Sequence, residues 1–108
     1  FCNNDDLANS LQQTGMEIGD PVWRLPLWDE YRPLLESKVA DTNNISSAPY
    51  GGAITAALFL DRFAEGAKAW AHIDLMAWNV SASAGRPVGG EAQGIRAAFK
   101  VIADRYGK

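Results

Sequence analysis

The sequence predicts an α/β chain with about two strands and three to four helices, and three observations carry that reading. A helical stripe of Ile95, Phe99, Ile102 and Tyr106 recurs at the spacing of one helix face. Gly52 to Phe63 is apolar on almost every face, which predicts a helix buried on all sides. Between them, Trp70 to Met76 alternates large apolar side chains with Ala, His and Asp in the two-residue period of a strand. Two strands are too few for a self-sufficient sheet covered by helices, so these residues are expected to complete a larger α/β domain.

Taken in order, the elements begin with an amphipathic helix carrying Leu7, Leu11, Met16 and Ile18, with Asp5 or Asp6 as its cap and Gly15 tolerated inside it. Gly19 followed by Asp20-Pro21 ends that helix. Val22 to Pro26 alternates between prolines and reads as an extended connector or edge strand. A short helix is expected over Trp28 to Glu36, with Pro33 acceptable only in its first turn. Lys38 to Asp41 is expected to form a short strand, followed by a loop from Thr42 to Gly52. After the Trp70 to Met76 strand, Asn79 to Gly90 reads as a loop rich in Ser, Asn, Gly and Pro. The last helix is expected from Glu91 to about Tyr106, with Glu91 at its positive end and Arg105 and Lys108 at its negative end. There is no internal repeat.

Composition excludes several function classes. The chain has 108 residues, 47% hydrophobic and 21% charged, which corresponds to at most one ordinary globular domain. A net charge of −3 with scattered Lys and Arg argues against a nucleic-acid partner. The apolar run Ile54 to Leu60 is far short of the roughly 20 residues of a membrane-spanning helix, so no membrane partner is expected. The acidic stretch Phe1 to Asp6 does not read as an export signal, and the single Cys2 fits a reducing compartment, so cytoplasm is the expected location. One His and one Cys leave carboxylates as the only candidate metal ligands.

Each candidate centre has a plainer explanation beside it. His72 and Asp74 share a strand face, but that spacing does not make the linear contact of a catalytic triad, and a structural or partner-contact role is favoured. No Gly-x-Ser-x-Gly elbow is present. The loop Gly85-Arg86-Pro87-Val88-Gly89-Gly90 leads towards a helix and invites comparison with anion cradles, yet Pro87 removes a donor and a tight turn is the better account. Asp5, Asp6, Asp20, Asp29 and Glu30 fall at helix caps and exposed turns and are not assigned as metal ligands. Cys2 has no basic neighbour to stabilise a thiolate.

Five separated blocks nevertheless point one way. Gly19-Asp20-Pro21-Val22-Trp23-Arg24-Leu25-Pro26, Ala40-Asp41 with Asn44, Gly51 to Leu60, Trp70-Ala71-His72-Ile73-Asp74 and Gly85-Arg86-Pro87 together resemble, in order and spacing, the carboxy-terminal part of the leucyl aminopeptidase (cytosol aminopeptidase) family. The resemblance runs from about Asn4 to Tyr106. It implies a segment of a three-layer αβα catalytic domain covering residues 1–108, with no second domain. It also implies a two-metal exopeptidase acting on the amino termini of peptide substrates, with two zinc or manganese ions per site and a homo-hexameric assembly.

In that family the metal ligands and the catalytic Lys and Arg lie upstream, several in an Asn-Thr-Asp-x-Glu-Gly-Arg motif. This chain has no such motif. The expectation is therefore a segment with no catalytic residue and no metal ligand of its own, dependent on the remainder of the catalytic domain and inactive alone. By resemblance, Met76, Ala77 and Asn79 supply part of the wall of the pocket for the substrate's first side chain. The family commonly has Asp-Ile-Ala-Gly where this chain has Asp74-Leu75-Met76-Ala77, which implies a shallower pocket favouring small or unbranched first residues. A non-catalytic scaffold or binding relative with the same fold is the rival reading. A weaker third is a small-ligand module using the Gly85 to Gly90 loop.

Overall fold

The computed structural model describes residues 1–107, and Lys108, read above as a helix-end charge, lies outside them. Among the described residues there are three α-helices, one 3-10 helix and a two-stranded sheet, so the α/β reading holds. The residues divide into two units, one made of Phe1–Ala8 and Arg24–Asp74, the other of Asn9–Trp23 and Leu75–Lys108.

Helix α1 spans Asp5–Glu17. Its cap is Asn4 rather than Asp5 or Asp6, because the Leu7 N–H donates to Asn4 Oδ1 at 2.9 Å and both aspartates sit in the first turn. Ala8 and Leu11 are its buried apolar residues. Gly15 is required rather than tolerated: a Cβ there would lie 2.6 Å from the carbonyl oxygen of Asp20.

In the first unit the expected short helix is a 3-10 helix, Asp29–Leu35, with Pro33 in its interior rather than its first turn. Pro33 has no N–H to donate in an α-helical ladder, and the tighter coil is the form this short segment takes. Helix α2, Gly52–Asp61, packs against it, and Leu58 and Leu35 are fully buried. Burial of α2 is one-sided, however. Thr55, Ala57 and Leu58 are covered, whereas Ala56 and Leu60 are exposed, so the described residues cover one side of this apolar helix and leave the other side open.

Neither expected strand forms a ladder. Lys38 to Asp41 is a series of bends because Ser37 Oγ accepts the N–H groups of Val39 and Ala40, taking the donors a strand would present. Among the described residues, Trp70 to Met76 pairs through a single antiparallel bridge, between Ala71 and Cys2. Asp61 ties this unit together: its Oδ2 accepts from Arg32 at 2.7 Å and its Oδ1 from the Trp70 indole at 3.0 Å. Bonding to Asp61 and then to Asp29 raises the pKa of Arg32 above its ordinary value.

The strands lie in the second unit, where a loop was expected. Strand β1, Trp78–Asn79, pairs antiparallel with β2, Gly89–Gly90. The chain between them turns back at Ala84 and Gly85, where Ser83 and Arg86 exchange both backbone hydrogen bonds at 2.9 Å. Gly85 has a φ of 74° there, so its glycine answers a turn requirement. Helix α3, Ile95–Tyr106, begins four residues later than the sequence suggested. Ala97 is buried on it, but Ile95, Phe99, Ile102 and Tyr106 are all exposed within this chain.

Candidate functional site

The residues expected at the pocket wall, Met76, Ala77 and Asn79, all lie where the chain enters the hairpin of the second unit. Met76 is 69% exposed. Ala77 has a φ of 53°, the left-handed region that side-chain-bearing residues seldom adopt. Holding a non-glycine residue there costs about 1–2 kcal/mol.

Two hydrogen bonds keep Ala77 in place. Its N–H donates to Gln93 Oε1 at 3.1 Å, and its carbonyl accepts the Glu91 N–H at 2.9 Å. Asn79 is held by the same segment, its Nδ2 donating to Glu91 Oε2 at 2.7 Å and to the Pro87 carbonyl at 3.1 Å. Glu91 Oε1 in turn accepts from Arg86 at 2.9 Å. With its side chain only 10% exposed, Glu91 joins both arms of the hairpin through one carboxylate. Sequence reasoning placed Glu91 in a helix and gave Gln93 no role; neither residue carries a local pattern that announces such contacts.

Asp20 was expected in an exposed turn and is instead buried, at 3% exposure. Its Oδ1 accepts the Gly94 N–H at 2.9 Å, its Oδ2 accepts the Ala97 N–H at 3.0 Å, and the Arg96 guanidinium lies 3.4 Å away. Burial alone would raise its pKa. The Ala97 and Gly94 donors and the Arg96 charge outweigh that cost, and the pKa lies below the ordinary carboxylate value. This side chain satisfies the first amides of α3 from a distant part of the sequence.

Other candidates have structural explanations. His72 donates its backbone N–H to the Phe1 carbonyl at 2.9 Å, and its ring stacks on Phe1 with centroids 6.1 Å apart. Cys2 is buried, with its thiol on the Asn4 carbonyl at 3.1 Å. A cleft of about 410 Å³ in the first unit includes Arg32, Asp61, Arg62 and Glu65, and none of the expected wall residues lines it. Its arginines are already engaged, Arg32 by Asp29 and Asp61 and Arg62 by the Asp41 carbonyl.

Among the described residues no group of three or more His, Cys, Asp or Glu side chains is placed to hold an ion. Several are instead paired: Asp5 with Arg24, Asp29 and Asp61 with Arg32, Glu91 with Arg86, and Asp104 with Lys100. No described helix is long and apolar enough to cross a membrane.

The profile of the cytosol aminopeptidase family, catalytic domain, matches residues 1–99. The chain belongs to that family. A probable cytosol aminopeptidase of Chlorobium phaeobacteroides is 44% identical over 97 residues, covering 89% of this chain and 19% of that protein. Another from an Azoarcus species is 52% identical over 93 residues, covering 82% and 18%. Among solved structures, the crystal structure of the cytosol aminopeptidase from Coxiella burnetii matches with a TM-score of 0.92 and 47% identity, over 98% of this chain and 23% of that one. The chain thus spans about a fifth of the length of the curated cytosol aminopeptidases it matches.

Proposed function

We propose that this chain is the carboxy-terminal segment of the catalytic domain of a two-metal aminopeptidase that removes amino-terminal residues from peptides. Its contribution is packing and one wall of the pocket for the first residue, built from Met76, Ala77 and Asn79. The observation that carries the reading is the match, over 98% of the chain, to a cytosol aminopeptidase structure at 47% identity. Local geometry supports the wall assignment: a firmly hydrogen-bonded hairpin entry leaves the Met76 side chain exposed and able to meet another group.

Zinc or manganese, when bound by the rest of the enzyme, would polarise the scissile carbonyl and activate a water. The residues of this chain take no part in holding those ions. Their role is to shape the space beside the reaction and to present an apolar surface for the rest of the domain. Exposed Ile95, Phe99 and Ile102 on one face of α3 suit that second task. A homo-hexamer working in the cytoplasm is the assembly and compartment that accompany this reading.

Met76→Ala in the full-length enzyme tests the wall assignment. Removing the long thioether should deepen the pocket and raise the kcat/KM ratio for Leu- over Ala-terminated substrates by about tenfold. An unchanged ratio would remove Met76 from the wall.

A further inference from the structure

We propose that Gln93 is a positioning residue for first-residue specificity, holding Ala77 in its left-handed conformation and thereby setting how Met76 is presented. The inference rests on the reading of Met76, Ala77 and Asn79 as a pocket wall. The N–H that Gln93 Oε1 accepts, at 3.1 Å, belongs to the peptide plane joining Met76 to Ala77. Departure of Ala77 from its left-handed φ would change the direction in which Met76 leads into the hairpin, and with it the placement of the Met76 side chain; the acceptor on the Ala77 N–H opposes that departure.

The backbone at Ala77 needs this help because its φ of 53° is unfavourable for a residue with a Cβ. Glycine would adopt it without steric cost. The Glu91 N–H on the Ala77 carbonyl, at 2.9 Å, fixes the opposite side of the residue. Since Glu91 Oε2 also accepts from Asn79 at 2.7 Å, residues 91 to 93 hold both ends of the wall. Gln93 is the member whose side chain acts on the strained position itself.

Three variants of the full-length enzyme separate this role from simple structural support, with kcat/KM measured on alanine and leucine p-nitroanilides. Gln93→Leu keeps the size and removes the acceptor, and the substrate ratio should shift by about two- to tenfold. Gln93→Glu keeps an acceptor oxygen and should hold the parental ratio. Adding Ala77→Gly to Gln93→Leu relieves the strain and should move the ratio back towards the parent, which also provides a folded variant should the single substitution misfold. An unchanged ratio in Gln93→Leu, or an equal shift in Gln93→Glu, would overturn the inference. Met76→Ala measured alongside distinguishes the two failures: a shift there with none in Gln93→Leu sinks only the role of Gln93, whereas no shift in Met76→Ala sinks the wall.

Discussion

Replacing Asp20 by Asn should loosen the start of α3 more than a surface substitution could. The carboxylate is 3% exposed and accepts two backbone N–H groups, from Gly94 at 2.9 Å and Ala97 at 3.0 Å. An amide offers one acceptor oxygen, so one of those donors would face an NH2 group and the other would lose its charge-assisted partner. Hydrogen bonds to charged groups contribute about 1.5–3 kcal/mol each, and loss of a helix cap costs about 1 kcal/mol. Taking the loss of one bond and the weakening of the second gives about 2–3 kcal/mol. Local opening of the first turn of α3 should become about 30- to 150-fold more frequent. Amide hydrogen exchange of Ala97 and Ala98 in the full-length protein reads this directly. Because the folded pKa of Asp20 is depressed, its stabilisation is complete above the unfolded value of about 3.9 and is lost as pH falls through the folded value. The acid-induced rise in exchange should therefore be blunted in Asp20→Asn. Equal protection of these amides in both proteins near neutral pH would refute the capping argument.

Gly15→Ala should lower the thermal midpoint of the full-length protein, since the new Cβ meets the Asp20 carbonyl at 2.6 Å. The expected overpacking cost of about 1–3 kcal/mol exceeds the gain of about 1 kcal/mol in helix propensity, and a raised midpoint would contradict the close approach. Asp61→Asn should speed exchange of the Trp70 indole N–H by about tenfold, because Asp61 accepts both that donor and Arg32. Unchanged indole exchange would show that Asp61 does not tie these segments together.

Periodicity made the helices legible and left their surroundings obscure. The α3 stripe of Ile95, Phe99, Ile102 and Tyr106 identified a helix correctly, yet all four are exposed within this chain, because periodicity reports an apolar face and not what covers it. The alternation of Trp70 to Met76 had the right chemistry for a strand, but a strand also requires a neighbour, and among the described residues it has one bridge, to Cys2. Conversely, β1 and β2 escaped notice because two residues are too few to show a period and β2 consists of Gly89 and Gly90.

Local signals also fail where the partner is distant. Asp20 next to Pro21 looked like a turn residue, while its donors come from Gly94 and Ala97, more than 70 positions away. At the candidate site, Met76, Ala77 and Asn79 were named only through family resemblance, and the strain at Ala77 follows a Gly-to-Ala departure already visible in that comparison. Gln93 and Glu91 carried no spacing or charge pattern by which they could be found.

The central claim is that these residues build a pocket wall and packing surface for an aminopeptidase whose metal-holding groups lie elsewhere in the protein. The direct measurement is calorimetric titration of the purified 108-residue chain with manganese or zinc, paired with an assay of leucine amide hydrolysis. No stoichiometric binding and no turnover are expected. Tight binding of two ions with measurable hydrolysis would contradict it.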